Sequence, residues 1–261
     1  MALHGLDFTF NKYSELCQSA LKSGYDIVTI SSYIQNENTN ANVLVMRHDV
    51  EHFPGRALRM AILEQSQGIR STYYFRRNSF PQPHIIKAIA GMGHEIGYHY
   101  ESLDEAKGNF ELAINLFKLR LEQLRKIAKV ETICMHGNPL TKWLNRDLWA
   151  KYDFHELGLI GEAYLSLKDI YYFSDTGRKW DMSRKFKDWL PSGSSNQDSN
   201  VRNVVTTDDL IKLIQSGRCP RIYLTVHPER WGHNLATWFI DQMNDTAKNV
   251  LKAVLRKLNS K

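Results

Sequence analysis

The chain has 261 residues, of which 43% are hydrophobic and 24% are charged, with 15 Gly and 7 Pro. This composition excludes disordered, collagen-like and low-complexity proteins, and the length suffices for a single domain over residues 1–261 with a full core. The net charge of +6 comes from scattered basic residues, which favours a solvated surface or an anionic substrate. We therefore expect no nucleic-acid partner.

The sequence pattern predicts a cytoplasmic protein without a membrane span. Strictly apolar runs are short, as at residues 43–46, whereas a membrane helix needs roughly 18 residues. The N-terminus lacks a basic stretch followed by a long apolar segment, which is the pattern of a secretory signal. Cys17, Cys134 and Cys219 form neither a Cys-x-x-Cys pair nor a disulfide pattern, as is typical of a reducing compartment.

Short segments rich in β-branched or aromatic residues predict seven strands. In chain order they cover residues 43–47, 71–75, 95–99, 132–135, 157–160, 170–173 and 222–226. Helical patterns occupy residues 56–67, 83–92, 112–128, 146–152 and 208–216. A terminal helix at 235–258, within a C-terminal segment 232–261, is predicted to pack against the outside. The polar stretch 191–200 indicates either a mobile lid or a disordered loop.

Alternating strands and helices predict parallel strands joined by right-handed crossovers, either in an open doubly wound sheet or in a barrel. Clusters of polar residues follow five of the strands, starting at His48, His99, His136, Ser174 and His227. In a barrel these strand ends converge on one rim, where active sites lie. We therefore predict an α/β barrel with its site at that rim.

Four of the ten histidines follow strands in this way: His48, His99, His136 and His227. A single histidine after a strand is more often structural than functional, but four together with carboxylates indicate a metal site. Imidazole and carboxylate are the usual ligands of zinc, and a catalytic zinc site uses three of them. Asp49, Glu51, His99 and His136 can supply three ligands and a base, which leaves His227 as a general acid.

The spacing of Asp49 and Glu51 supports a common site. Residues two apart in an extended chain point to the same side, so both carboxylates are predicted to face the rim. The alternative is a turn that carries two solvated acids.

Four ordered segments resemble the polysaccharide deacetylase superfamily, which includes carbohydrate esterase family 4. They are residues 47–51 (RHDVE), 93–99 (GHEIGYH), 135–139 (MHGNP) and 224–228 (LTVHP). The resemblance covers residues 43–231 and implies a distorted (β/α)7 barrel. It also implies a hydrolase that removes N- or O-acetyl groups from a small carbohydrate with a divalent metal, often zinc. By this resemblance Asp49 is the catalytic base, His99 a metal ligand and His227 the catalytic acid.

The chain departs from the family pattern at three places. Val50 stands where a second, metal-binding Asp is expected, so we assign that role to Glu51. Leu103 stands where a second metal histidine is expected, and we predict that His136 replaces it. The third segment carries His136 and Asn138 in place of the family's arginine-containing run.

A further set of residues near the strand ends is predicted to bind the substrate: Arg47, Tyr100, Asn138, Asp175, Arg178, Trp180, Arg230 and Trp231. An arginine there pairs with a rim carboxylate or binds a substrate phosphate, and the alternative is a surface ion pair. The aromatic rings are candidates for stacking against a sugar, and the alternative is that they belong to the core.

The segments around residues 136–140, 174–180 and 227–231 are similar to a divergent branch of the superfamily that is found in lipopolysaccharide and O-antigen biosynthesis. This similarity implies a small acylated precursor, such as an amino-sugar nucleotide or a lipid-linked sugar. An alternative remains open because two ligand positions deviate. In that alternative the barrel no longer hydrolyses and only binds a sugar or a biosynthetic partner.

Overall fold

The computed structural model of the chain describes residues 5–35, 41–138, 140–180, 201, 203–241 and 243. The helices are α1 (Phe10–Lys22), α2 (Ile30–Ile34), α3 (Pro54–Ser66), α4 (Pro83–Gly91), α5 (Ser102–Glu105), α6 (Phe110–Arg125) and α7 (Thr207–Gln215). The strands are β1 (Asp26–Val28), β2 (Val43–Val50), β3 (Thr72–Phe75), β4 (Glu95–Tyr100), β5 (Val130–Met135), β6 (Gly161–Glu162), β7 (Tyr171–Ser174) and β8 (Arg221–Val226). Helices and strands therefore alternate along most of the chain, as predicted.

The strands form one parallel sheet in the order β6-β5-β4-β3-β2-β8-β7, with β1 paired to the start of β2. Within the described residues β6 and β7 do not pair, yet side chains beside them meet. The rings of Tyr164, just after β6, and Tyr172, on β7, have centroids 6.2 Å apart. The sheet is therefore curled into an incomplete barrel, which confirms the predicted α/β barrel class.

Two predicted elements differ from the structure. The strand predicted at 157–160 lies instead at Gly161–Glu162, after a 3-10 turn at His155–Leu157. Gly158 ends that turn with a φ of +68°, a left-handed conformation that a strand does not contain. The helix predicted at 146–152 is a 3-10 helix at Asn145–Ala150.

The chain ends are only partly described. Residues 235–241 are helical, and the Trp238 Nε1–H donates to the carbonyl of Asp7 at 2.8 Å. The remainder of the helix predicted at 235–258 and the loop predicted at 191–200 lie outside the described residues. None of the helices that the structure describes combines the length and the apolar character required to cross a bilayer.

All eight residues of β2 are buried, because its two faces contact different parts of the protein. Arg47 and Asp49 face the barrel interior, where Arg47 donates to the hydroxyls of Tyr223 (2.7 Å) and Tyr164 (2.8 Å). His48 faces α3 instead, and its Nε2 lies 2.8 Å from Glu64 Oε1. This placement corrects the expectation that His48 joins the rim histidines.

Glu64 on α3 is fully buried in a network that includes His48. Its carboxylate accepts hydrogen bonds from Ser71 Oγ (2.7 Å), from the Tyr73 hydroxyl (2.7 Å) and from the Tyr13 hydroxyl. Burial alone would raise the pKa of Glu64, but His48 and the other neighbours lower it to about 2. The carboxylate is therefore ionised at neutral pH.

Replacing Glu64 by Ala should lower the free energy of unfolding by about 3–5 kcal/mol at pH 7, because the buried donors lose their acceptor. A depressed carboxyl pKa stabilises the fold fully above the unfolded value, about 4.3, and this contribution is lost as the pH falls towards 2. Urea unfolding at pH 7 and pH 3 measures the effect. If the difference in the free energy of unfolding between wild type and variant is as large at pH 3 as at pH 7, the Glu64 network is not held by an ionised carboxylate.

A glycine on β4 shapes the barrel interior. A Cβ at Gly97 would lie 2.1 Å from the ring of Tyr74, so only glycine leaves room for this ring to cross β4. The Tyr74 hydroxyl then lies 2.8 Å from Thr132 Oγ1 on β5. Large polar side chains thus fill the interior beneath the rim.

Candidate active site

The C-terminal ends of β2, β4, β5 and β8 bring five of the predicted site residues together: Asp49, Glu51, His99, His136 and His227. His99 Nε2 lies 3.7 Å from Asp49 Oδ2, and the rings of His99 and His136 have centroids 5.3 Å apart. Glu51 Oε1 lies 3.5 Å from His136 Nε2 and 3.9 Å from His227 Nε2. The five side chains therefore form one cluster at the rim.

Asp49 is held by a two-point ion pair with Arg47, two residues earlier on the same strand face. Arg47 Nε donates to Oδ1 at 2.7 Å, and Nη2 donates to Oδ2 at 2.5 Å. Burial alone would raise the pKa of Asp49, but the charges of Arg47 and His99 lower it below the ordinary range. Asp49 is therefore an ionised, oriented and weakly basic carboxylate.

His99 on β4 is fixed in one tautomer by its neighbour on β5. Its Nδ1 lies 3.1 Å from the carbonyl oxygen of Cys134. Since a carbonyl only accepts, we assign the proton to Nδ1, which leaves the lone pair on Nε2. Burial lowers the pKa of His99 to about 3, so the ring is neutral. This is the form in which histidine binds a metal.

Glu51 lies just past the end of β2, where another carboxylate holds its backbone. Glu229 Oε1 accepts the backbone N–H groups of residues 51 and 52, both at 2.8 Å. Burial would raise the pKa of Glu51, but His136 and then His227 lower it well below the ordinary range. Glu51 is therefore a second ionised carboxylate in the cluster.

His136 follows β5, and its backbone is fixed from both sides. Its N–H donates to the carbonyl of Tyr100 at 2.7 Å, and its own carbonyl accepts from Asn145 Nδ2 at 2.9 Å. The side chain is mostly buried, with 13% of its surface exposed. Its position near Glu51 is thus set by β4 and by the 3-10 helix at Asn145–Ala150.

His227 is paired with a buried carboxylate from the neighbouring strand end. Its Nδ1 lies 2.6 Å from Asp175 Oδ1, and its backbone N–H donates to Oδ2 at 2.9 Å. Since an ionised carboxylate only accepts, we assign the His227 proton to Nδ1. Arg230 Nη1 lies 2.8 Å from the same Oδ1 and 2.6 Å from Nδ1. Burial and Arg230 lower the pKa of His227, but Asp175 outweighs them and the net shift is upward.

The chemistry of this donor set fits a divalent cation. The imidazole and carboxylate atoms face one another at 3.5–3.9 Å, too far apart for good hydrogen bonds. Ligands that share a tetrahedral zinc ion at 2.0–2.2 Å lie roughly 3.3–3.6 Å apart, which is close to these separations. Among the described residues, the three donors that all lie within 4.8 Å of one another are those of Asp49, His99 and Cys134. Glu51 and His136 would therefore have to move closer to His99 to share one ion with it.

Two further residues bear on metal binding. The Cys134 thiol lies within 4.8 Å of ligand atoms of Asp49 and His99, and the sequence analysis did not identify it as a candidate donor. Leu103, where the resemblance implies a second metal histidine, is buried in the apolar core. It offers no donor atom.

All three predicted sugar-stacking rings are buried in the interior: Tyr100, Trp180 and Trp231. The Tyr100 hydroxyl accepts from Trp149 Nε1 at 2.8 Å, and Trp180 Nε1 donates to Thr207 Oγ1 at 3.0 Å. Trp231 Nε1 donates to Asp175 Oδ2 at 2.9 Å. This placement corrects the prediction that these rings form a wall against a sugar, because no ring face is open.

The predicted polar substrate contacts differ in how far they are exposed. Arg47 and Asp175 are fully buried, so each contacts other site residues and neither is open to a substrate, which corrects their predicted role. Arg178 is 8% exposed, with its guanidinium 5.9 Å from the ring centroid of Phe8. Asn138 and Arg230 are partly exposed at the rim and stay candidates for substrate binding.

Comparison with known proteins gives similarity to solved structures alone. No family model and no curated protein matches the chain. A peptidoglycan N-acetylglucosamine deacetylase is 17% identical, with 81% of this chain and 84% of that chain covered and a TM-score of 0.44. A family 4 carbohydrate esterase from Bacillus anthracis is 12% identical, with 98% and 90% covered and a TM-score of 0.37.

A third similar structure is a carbohydrate esterase family 4 pseudoenzyme from Bacillus anthracis. It is 12% identical, with 81% of this chain covered and a TM-score of 0.40. The match spans 62% of the length of that pseudoenzyme, which is less than two thirds. Since all three identities are below 20%, the chemistry of this chain has to be argued from its own residues.

Proposed function

We propose that this protein is a metal-dependent hydrolase of the polysaccharide deacetylase type. In this proposal it removes an acyl group, above all N-acetyl, from a sugar or sugar nucleotide precursor of surface polysaccharide biosynthesis in the cytoplasm. The observation that carries the proposal is the convergence of His99, two ionised carboxylates and the Asp175–His227 pair at one rim. These are the groups that metal-assisted acyl hydrolysis requires.

Glu51, His99 and His136 would hold the cation. Their oxygen and nitrogen donors are typical ligands of a divalent ion such as zinc. When bound, such an ion polarises an acyl carbonyl and acidifies water. The neutral ring of His99 and the low pKa of Glu51 mean that neither ligand has to lose a proton first at neutral pH. His99 and Glu51 are therefore already in the protonation states in which they bind metal.

Asp49 is the proposed general base. Its carboxylate is ionised at neutral pH, and Arg47 fixes the direction of both oxygens. The same ion pair makes it a weak base, so it can accept a proton only from a strongly acidified nucleophile. This weakness explains why a base of this kind needs a Lewis acid beside it.

His227 is the proposed general acid. Its Nδ1–H is bound to Asp175, and its Nε2 faces the cluster 3.9 Å from Glu51. Because Asp175 raises the pKa of His227, a larger fraction of the ring carries the second proton near neutral pH. Nε2–H can then protonate the leaving amine, while Asp175 stabilises the charged ring.

Metal content tests this proposal. We expect about one equivalent of divalent metal in the purified protein and a metal affinity at least ~100-fold lower in His136→Ala, since even the loss of a residue that supports a ligand costs about 10–100-fold. His84→Ala, an exposed histidine on α4, is the matched control and should bind metal normally. Acetate release from acetylated amino-sugar nucleotides should follow metal occupancy. Full occupancy of His136→Ala would remove His136 from the ligand set.

The absence of a donor at Leu103 favours one alternative, in which the barrel binds a sugar or a biosynthetic partner without hydrolysis. The same measurement separates the two functions. A protein that purifies without metal, cannot be loaded with zinc, and still binds a sugar nucleotide would support the binding protein.

A further inference from the structure

His136 has one ring nitrogen that the candidate metal cluster does not use. Its Nε2 faces Glu51, whereas Nδ1 is buried and has no hydrogen-bond partner in the structure. The nearest anionic atom recorded for Nδ1 is Glu101 Oε2, 3.7 Å away. The imidazole thus lies between two carboxylates, one on each side of the ring.

Glu101 is itself held in place. Glu101 directly follows Tyr100, the last residue of β4. The backbone N–H of His136 donates to the carbonyl of Tyr100, so the ends of β4 and β5 are joined beside the Glu101 and His136 side chains. Arg76, which follows β3, donates to Glu101 Oε2, and Arg77 Nε lies 3.9 Å from Oε1. The Glu101 carboxylate is 14% exposed and is therefore largely shielded from water.

We infer that Glu101 is a positioning residue for His136, orienting its ring and fixing its tautomer for metal binding. This inference rests on the proposed function, because it assigns His136 Nε2 to the metal. A histidine that binds metal through one nitrogen commonly donates its other N–H to a carboxylate, which orients the ring and raises the basicity of the ligand nitrogen. Glu101 Oε2 lies 3.7 Å from Nδ1, just beyond hydrogen-bond distance, and a small rotation of either side chain would let it accept from Nδ1–H. Arg76 donates to the same oxygen and so holds it beside the ring.

The backbone contacts of His136 do not perform this task. The bonds to the Tyr100 carbonyl and from Asn145 fix the main chain, but neither restrains rotation of the imidazole about its side-chain bonds. Without an acceptor for Nδ1–H, the ring can rotate and can exchange its two tautomers. Loss of Glu101 should therefore weaken metal binding without unfolding the protein.

The test compares zinc affinity of Glu101→Ala, Glu101→Gln and Glu105→Gln, by competition with a chromophoric chelator on demetallated protein. We expect Glu101→Ala to bind zinc about 10–100-fold more weakly than wild type. Glu101→Gln should show a smaller loss, because its amide oxygen still accepts a hydrogen bond. Glu105 also pairs with Arg77, and no contact joins it to His136 within the described residues. Glu105→Gln should therefore match wild type.

A second readout reports on the His136 ring itself. In the cobalt-loaded protein, the ring N–H of a ligand histidine gives a paramagnetically shifted NMR signal that disappears when its proton exchanges in D2O. We expect the His136 signal, identified by its loss in His136→Ala, to exchange faster in Glu101→Ala than in wild type. Thermal unfolding of the demetallated variants checks that the fold is intact.

The outcomes separate this inference from the proposed function. If wild type binds zinc and Glu101→Ala binds it equally tightly with unchanged proton exchange, Glu101 does not position His136 and the proposed function stands. If wild type binds no zinc and releases no acetate, the proposed function fails first. If Glu101→Ala unfolds, the zinc affinity and the His136 proton-exchange rate are measured in Glu101→Gln instead. Values equal to those of wild type would overturn the inference.

Discussion

Asp49→Asn is expected to lower turnover by about 10²–10⁴-fold at neutral pH while the fold persists, because an amide cannot take the proton that a general base must accept. The amide has nearly the same shape as the carboxylate, so the position of the side chain should change little. Acetate release under saturating metal measures the effect. Unchanged hydrolysis would exclude Asp49 from the mechanism.

The variant also leaves Arg47 without its anion, and an unpaired buried charge can cost about 3–5 kcal/mol of stability. The double variant Arg47→Met, Asp49→Asn removes both charges and serves as the control. We expect its thermal stability to exceed that of Asp49→Asn and its turnover to stay equally low. Recovery of turnover in the double variant would show that Asp49→Asn acts only through stability.

Asp175→Asn should move the alkaline limb of the pH profile of kcat/KM to lower pH. The sign follows from the structure: Asp175 raises the pKa of His227, so its loss lets His227 give up the catalytic proton at a lower pH. A general acid contributes about 10²–10⁴-fold, so we expect most of the turnover at pH 8 to be lost and part of it to return at pH 6.

The control for this profile is Glu156→Gln, which removes an exposed carboxylate away from His227. Its profile should coincide with that of wild type. An alkaline limb that does not move in Asp175→Asn would show that His227 is not the group whose deprotonation ends activity.

The ends of β2, β4, β5, β7 and β8 were predictable because polar residues follow each of these strands at once. The β-strand alternation also explains which residues share a face. Since Asp49 faces the interior, Arg47 joins it and His48 must point to α3. The same rule places Tyr100 opposite to His99, in contact with Phe117 at a centroid distance of 5.4 Å. Applied to every strand, this alternation would have removed His48 and Tyr100 from the candidate set.

The N-terminal elements carried a signal that the strand-based analysis did not use. Tyr13, Leu16, Cys17 and Ala20 recur at helical spacing, and all four are buried on α1. The strand β1 has three residues, too few for a periodic pattern. Its existence depends on pairing with the start of β2, which is a tertiary contact.

The contacts of the carboxylates that lie behind the site histidines could not be predicted from the sequence. Asp175 meets His227 because β7 pairs with β8, and Glu101 meets His136 because β4 pairs with β5. Both contacts depend on strand order, which local sequence does not encode. Cys134 is intermediate, since it lies two residues before His136 on an extended chain and alternation alone would place it on the same side.

The gap between β6 and β7 has a consequence for solubility. An open sheet exposes unpaired backbone N–H and C=O groups at its margins, and long margins act as templates for strand addition and aggregation. Here the two margins are strands of two and four residues, so a neighbouring molecule finds few groups to pair with. The contact between Tyr164 and Tyr172 closes the side of the barrel, and among the described strands no long exposed edge is left there for another molecule to pair with.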